Sequence, residues 1–295
     1  MKSSPLVSVI VTCYNQGKYL NKALDSILDQ SYTHWECWII DDGSTDNTRT
    51  VSVDYHSKDS RFQYIFQENS GVAAARNRGI QKCNGEFIQF LDADDFIHQD
   101  KFLTQLEQFE KNPEIDVLYG SSRYFFDDEP TVFYPLHFRG SIPCDLSYRD
   151  KFQVEMLLKH NVCTNCAGLF KRKIISKVSF KKQIYEDWIF NLECALNGFV
   201  FHFDNSFLSY SYIRITGTGQ MMKHTNQLAD VRRLESTLGN LVKGYGYKIS
   251  TKIIVSEESN RSSDLVYLIK QICPPVIFRL LSELKTTYLG WKFYK

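Results

Sequence analysis

Three carboxylates crowd into four residues of the stretch GEFIQFLDADDF, where an apolar run ends at Leu91 and Asp92, Asp94 and Asp95 follow. Two like charges about 4 Å apart repel by roughly 4 kcal/mol at an effective dielectric near 20. A chain that keeps them together needs something to offset that repulsion, and a divalent cation is the first candidate. Oxygen-only ligation by aspartate with open positions suits Mg2+ or Mn2+. Two further acidic pairs stand elsewhere, Asp41-Asp42 in WIIDDGSTDNT and Glu186-Asp187 in YEDW. Each cluster has a plainer reading in isolation. Asp41, Asp42 and Asp46 fit turns and caps, Asp92 to Asp95 fit a solvated loop, and Glu186 and Asp187 fit the first turn of a helix.

The elements that carry these residues favour a shared site. Leu6 to Thr12, Trp35 to Ile40, Phe62 to Phe66 and Glu86 to Leu91 read as buried strands. Between them, Lys18 to Gln30, Thr45 to His56 (with Ser44 as N-cap) and Gly71 to Lys82 read as helices; the first repeats apolar residues at Tyr19, Leu20, Ala23, Leu24, Ile27 and Leu28. Strand and helix alternating this way imply an α/β domain with a parallel, Rossmann-like sheet flanked by helices. Ligands of such sheets bind beyond the carboxyl ends of the strands, and three of those ends carry Tyr14-Asn15, Asp41-Asp42 and Asp92 to Asp95.

After Asp100 the pattern shifts. Lys101 to Lys111 and residues 151 to 160 read as helices, Ile115 to Tyr119 and Ala167 to Lys171 as strands, and the aromatic stretch Ser121 to Tyr148 as loop-rich. Trp188, Ile189, Leu192, Ala195 and Leu196 repeat at helical spacing up to Gly198, a fitting stop. Asp187 then lies in a first turn, where the helix dipole favours negative charge. Residues 224–295 read as a largely helical C-terminal extension, whose last part, 272–295, has the apolar stripe and basic residues of a helix that lies on a membrane surface or docks on the domain.

Composition sets outer bounds. Of 295 residues, 43% are hydrophobic and 14% aromatic, enough for a substantial core, and 35 basic against 34 acidic residues leave a net charge of +1 and no push toward nucleic acid. No apolar run reaches membrane-spanning length, and the N-terminal run is too short for a signal peptide. The expected location is therefore the cytoplasm. Eight cysteines are scattered; only Cys163 and Cys166 in CTNC are close, with no second pair to complete a zinc site, and ordinary reduced thiols are expected. No glycine loop for phosphate follows the first strand. A phosphate-bearing ligand would be held by a metal and basic side chains.

VSVIVTCYNQGKYLNKALDSILDQSY, WIIDDGSTDNT, ENSGVAAARNRGI, FLDADD and YEDW, in this order and spacing, resemble the inverting family 2 glycosyltransferases of GT-A fold over about residues 5 to 215. The resemblance implies a glycosyltransferase domain over 1–223, with a nucleotide-binding half to about 100 and an acceptor half over 101–223, and the helical extension over 224–295. It implies a nucleotide-sugar donor, most readily a UDP-sugar, and transfer with inversion to a saccharide or lipid-linked saccharide, as in bacterial polysaccharide synthesis at the inner face of the membrane. By its motifs, Thr12 and Tyr14 line the nucleobase, Asp41 accepts from uracil with Asp42 beside it, and Arg76 lies near the base and diphosphate. Asp92 and Asp94 form the DXD pair, with Asp94 on Mn2+ or Mg2+, Asp92 toward the ribose, and Asp95 an alternative ligand. Asp187 is the general base, Glu186 orients it or the acceptor, and Arg214 belongs to a basic loop over the donor.

Direct displacement needs no enzyme nucleophile; it needs a base for the acceptor hydroxyl and charge stabilisation on the departing diphosphate. A helix-start aspartate stays ionised, as a base must. Arg76 also has a plainer reading, a surface pair with Glu68. Two other classes remain: a nucleotidyltransferase, which wants a glycine- and lysine-containing loop after the first strand, where TCYNQGKYL has one glycine and one lysine but no glycine-rich run, and a non-catalytic sugar-nucleotide binder, which predicts loss of the base.

Overall fold

The computed structural model describes residues 4–126, 129–135, 151–159, 161, 163–183, 185–215 and 227–246. A seven-stranded sheet is its centre. The strands β1 (Val7–Cys13), β2 (Trp35–Asp41), β3 (Phe62–Phe66) and β4 (Phe87–Asp92) run parallel, joined by α1 (Gly17–Leu28), α2 (Thr48–Lys58) and α3 (Val72–Lys82). After β5 (Phe96–Ile97) and α4 (Lys101–Lys111), β6 (Val117–Tyr119), β9 (Gly168–Lys171) and β10 (Phe201–Phe203) complete the order β10-β6-β9-β4-β1-β2-β3. Only β9 is antiparallel to its neighbours, β4 and β6.

Both faces of this sheet are covered, which is why β1 is buried at all seven positions. Val7, Val9 and Val11 face α1, α2 and α4 through Leu20, Leu24, Val51, Tyr55, Phe102 and Phe109. Ile10 and Phe90 face the other way, toward α3, α5 (Lys151–Lys159), α6 (Glu186–Leu196) and α7 (Gln227–Gly244). Phe90 meets Phe170, Phe180 and Phe190 at 5.5, 5.0 and 6.0 Å between ring centres, and Phe180 stacks on Phe190 at 4.2 Å. That aromatic wedge fixes α6 against the central strand. α3 lies close because Gly79 has no side chain: a Cβ there would fall 2.3 Å from Ile10 Cγ2.

Two expectations are corrected. The stretch expected to be loop-rich contains a hairpin, β7 (Ser122–Phe126) and β8 (Glu129–Pro135), in a second sheet of order β5-β11-β7-β8 with β11 (Ser211–Ile215). Its strands are supported by partners distant in sequence, β11 beside β7 and β5 beside β11. The second helix starts at Thr48, not Thr45, and Ser44 does not cap it. Ser44 belongs to the preceding turn, its amide donating to Asp41, while the Asp46 carboxylate takes the Thr48 amide and, across the loop, that of Gly17. The expected elements beyond residue 246, the 272–295 tail included, lie outside the described residues, and among those residues no helix is long and apolar enough to cross a membrane.

Candidate active site

The carboxyl ends of β1, β2 and β4 form one rim. Main-chain pairing puts Thr12 beside Asp92 and Cys13 beside Asp41. The loops after β1 and β2 are stitched together: Asn15, in a left-handed conformation, donates its amide to the Ser44 hydroxyl, and its side-chain oxygen accepts from the Thr45 amide. Gly43 has φ +85°, and a Cβ there would sit 2.8 Å from the Asn69 amide nitrogen, so this turn requires glycine. Tyr14 stands half exposed at the end of β1.

The acidic pair after β2 divides into two buried carboxylates with different partners. Asp41 accepts from the Ser44 amide and from the Tyr64 hydroxyl, each at 2.8 Å. Asp42 accepts from Gln67 Nε2 and from the amides of Ser70 and Gly71, at 2.6, 2.9 and 2.8 Å. Both its oxygens thus hold the loop that leads into α3. Phe66, across from Asp41 in register and 56% exposed, is an aromatic on the rim that sequence reasoning passed over; its place at the end of a strand beside an aspartate was the available signal.

The three carboxylates after β4 separate as well. Asp92 is partly exposed, and its Oδ1 accepts from Thr12 Oγ1 at 2.9 Å and from Arg76 Nη2 at 2.8 Å. Asp94 is half-buried, and burial, with the Asp92 charge, pushes its carboxyl up to about 6 against the pull of Arg214. Asp95 is buried, accepts from the Arg214 amide at 3.0 Å, and is pushed well above the carboxylate range by burial and by Asp94 and Asp92. Its place is beneath the rim, where it ties down β11.

That strand brings Arg214 to the site. Its Nε donates to the Asp94 carbonyl at 3.2 Å, and its guanidinium lies over the rings of Tyr19 and Phe125 at 4.0 and 4.9 Å. Phe125, in the aromatic stretch Ser121 to Tyr148, is buried; residues 136–148 of that stretch lie outside the described residues.

α6 supplies the third cluster. Tyr185, just before it, is left-handed at φ 60°, a conformation uncommon without glycine. Asp187 Oδ2 accepts from Asn161 Nδ2 and Oδ1 from the Trp188 amide, both at 2.8 Å. The dipole does not hold this group at an ordinary value: burial, then the Glu186 charge, raise it to about 6, opposed by Arg76. It is still ionised at neutral pH. Glu186 Oε1 accepts from Arg76 Nη1 at 2.6 Å. Arg76 is 2% exposed and joins Asp92 to Glu186, so the surface pair with Glu68 does not form. The Asn165 amide, oxygen inward, lies 3.1 and 3.0 Å from the two guanidinium nitrogens. Asn161 lies two residues before CTNC, and Asn165 lies within it, between Cys163 and Cys166. The two thiols are buried and form no disulfide, hydrogen bonding instead to Thr164, whereas the two amides serve the site.

Among the described residues no three His, Cys, Asp or Glu side chains form a cage for an ion. The donor set at Asp92 and Asp94 is nevertheless of the kind that takes Mg2+ or Mn2+, through one or two carboxylates completed by phosphate oxygens.

The family model described as Glycosyl transferase family 2 matches residues 8–178. The teichuronic acid biosynthesis glycosyltransferase TuaG of Bacillus subtilis, named as a putative one, is 45% identical over 104 residues, 35% of this chain and 41% of that protein. The chain thus spans well under two thirds of that relative. Among solved structures, S. aureus TarS 1-349 with UDP-GlcNAc superposes with TM-score 0.58 at 21% identity, over 79% of this chain and 66% of the other. The mannosyltransferase PcManGT of Pyrobaculum calidifontis, with GDP-Man and Mn2+, gives 0.57 at 14%, over 98% and 89%. A mainly parallel sheet with its acidic strand ends on one rim, the same fold in these structures and a match over more than half its length place this chain in glycosyl transferase family 2, with the GT-A fold.

Proposed function

We propose that the protein transfers a sugar from a nucleotide-sugar donor, most readily a UDP-sugar, to a hydroxyl of a saccharide or lipid-linked saccharide, with inversion. The observation that carries this reading is the chain of contacts Thr12–Asp92–Arg76–Glu186, which joins the strand end that carries Asp92 to the helix start that carries Glu186 and, next to it, Asp187. Tyr14, Asp41 and Phe66 border the nucleobase end, and Asp42 acts there through the loop it holds. Arg214 presents positive charge beside Asp94, where the diphosphate leaves. Asp94 and Asp92 would hold Mn2+ or Mg2+, with Asp95 supporting them from below. When bound, the ion neutralises charge that builds on the leaving diphosphate. Asp187, fixed by Asn161 and Trp188, takes the acceptor hydroxyl proton as the acceptor oxygen bonds to the anomeric carbon and the bond to the diphosphate breaks. Structures of the same fold with GDP-Man and Mn2+ in one case and UDP-GlcNAc in another support a nucleotide-sugar donor and a divalent ion, and the second favours uridine.

Calorimetry tests the donor site. Mn2+-dependent binding of UDP is expected in the wild type and lost in Asp94→Ala; binding that survives in the variant would remove the metal role from this residue. A thermal-shift screen of UDP-, GDP- and dTDP-sugars identifies the nucleotide. The basic, aromatic tail at 272–295 suits a membrane that presents a lipid-linked acceptor, and its deletion should lower sedimentation with anionic vesicles; equal sedimentation would refute that contact.

A further inference from the structure

We infer that Arg76 is a positioning residue: its buried guanidinium clamps the first turn of α6 to the end of β4 and balances the charge beside Asp187. In the reading above Arg76 stood near the nucleobase and diphosphate. The geometry points to a different task. The guanidinium donates to Asp92 on one side and Glu186 on the other, partners 16 and 110 residues away. The Phe180 ring lies 5.2 Å from its carbon, and Asn165 faces the same two nitrogens. A planar fork can meet two carboxylates in fixed directions, whereas an ammonium is a single point of charge.

Each end of this clamp is attached to something the reaction uses. Asp92 is fixed by Arg76 and Thr12 through the same oxygen, and among the described residues the other oxygen has no protein partner. Glu186 adjoins Asp187 in a turn that starts from a left-handed tyrosine and has no side-chain cap. Arg76 thus ties this turn to the end of β4, while the Phe90–Phe180–Phe190 wedge holds the body of the helix.

The clamp also sets the electrostatics. Among the described residues, the charged groups acting most strongly on Asp187 are Glu186 from its own helix, which favours the protonated form, and Arg76 from α3, which opposes it. The segment between α5 and β9 contributes the neutral Asn161 amide and the Cys163 thiol, which burial keeps protonated. A purely mechanical arginine would affect stability when replaced and leave the Asp187 titration where it was. A charge-balancing one moves it, in opposite directions for the two partners.

The Trp188 amide donates to Asp187 Oδ1, so its NMR shift reports the protonation of that carboxylate without any substrate. In the wild type it should titrate with a midpoint near 6, a transition that Asp187→Asn abolishes. Glu186→Gln, isosteric and still able to accept from Arg76, should lower the midpoint by about one pH unit; Arg76→Gln should raise it by about one. A midpoint that is unmoved or lowered in Arg76→Gln overturns the inference, and so does one that is unmoved or raised in Glu186→Gln, the variant that remains if Arg76→Gln does not fold. The base role of Asp187 rests on the proposed function, but the titration does not. An unmoved midpoint therefore sinks the clamp alone, and absence of sugar transfer bears on the proposed function alone.

Discussion

Replacing Asp187 by asparagine should remove activity and stabilise the protein, and the stabilisation should depend on pH. The carboxyl is raised from 3.8 to about 6 by burial and by Glu186. The folded state therefore holds its proton more tightly than the unfolded chain. Below pH 4 both states are protonated and there is no penalty. As pH rises through about 6 the folded protein must ionise a disfavoured group, and stability is lost. A shift of about two units corresponds to about 3 kcal/mol at neutral pH, a ceiling because the residue is half-buried and partly screened by solvent. Asparagine removes that term. It also has one oxygen where two accepted, from Asn161 and Trp188, so one hydrogen bond is lost at a cost of about 1 kcal/mol. The net is a gain of about 1–2 kcal/mol at pH 7, or roughly 2–6 °C in melting temperature. At pH 4 the advantage should vanish or reverse. Thermal unfolding of both proteins from pH 4 to 8 measures this directly, and transfer assays should show a loss of about 100- to 10,000-fold. A variant less stable than wild type at pH 8, or an advantage that does not change with pH, would refute the reasoning.

Two further outcomes test the scaffold. Lys101 is fully buried, its amine donating to the side-chain oxygens of Gln89 and Gln105, and burial lowers it to about 7; the unfolded chain binds its proton more tightly, so stability should rise between pH 7 and 9 by at most about 1.4 kcal/mol per pH unit, a slope that urea titrations should find flattened in Lys101→Met. Gly120 joins β6 to β7, and a Cβ there would lie 2.2 Å from the Ser209 carbonyl oxygen; Gly120→Ala should cost about 1–3 kcal/mol, read as a lower urea midpoint, and an unchanged midpoint would show that this junction can shift.

The nucleotide-binding half was legible because its signals are local. Buried parallel strands read as apolar runs, and Phe62–Phe66 and Lys101–Lys111 have the limits their pattern predicts. The hairpin from Ser122 was not, since its strands are held by β11, about ninety residues on in the pairing of Ser122 with Ser211. Asn161 and Asn165 carried no signal: a lone asparagine in a loop has no periodicity to mark it.

The order of strands and helices alone determined that the acidic clusters stand at strand ends and a helix start, because side-chain periodicity encodes which face of each element is buried. Which carboxylate does what was decided only in three dimensions. Asp42 faces a loop, Asp95 lies under β11, and Arg76 reaches Glu186 across 110 residues of chain. These assignments, and the raised Asp187, follow from desolvation and from partners that meet only after α3, β4 and α6 pack around the Phe90 cluster. Coulomb energy depends on distance and surroundings, and neither is written in the order of residues.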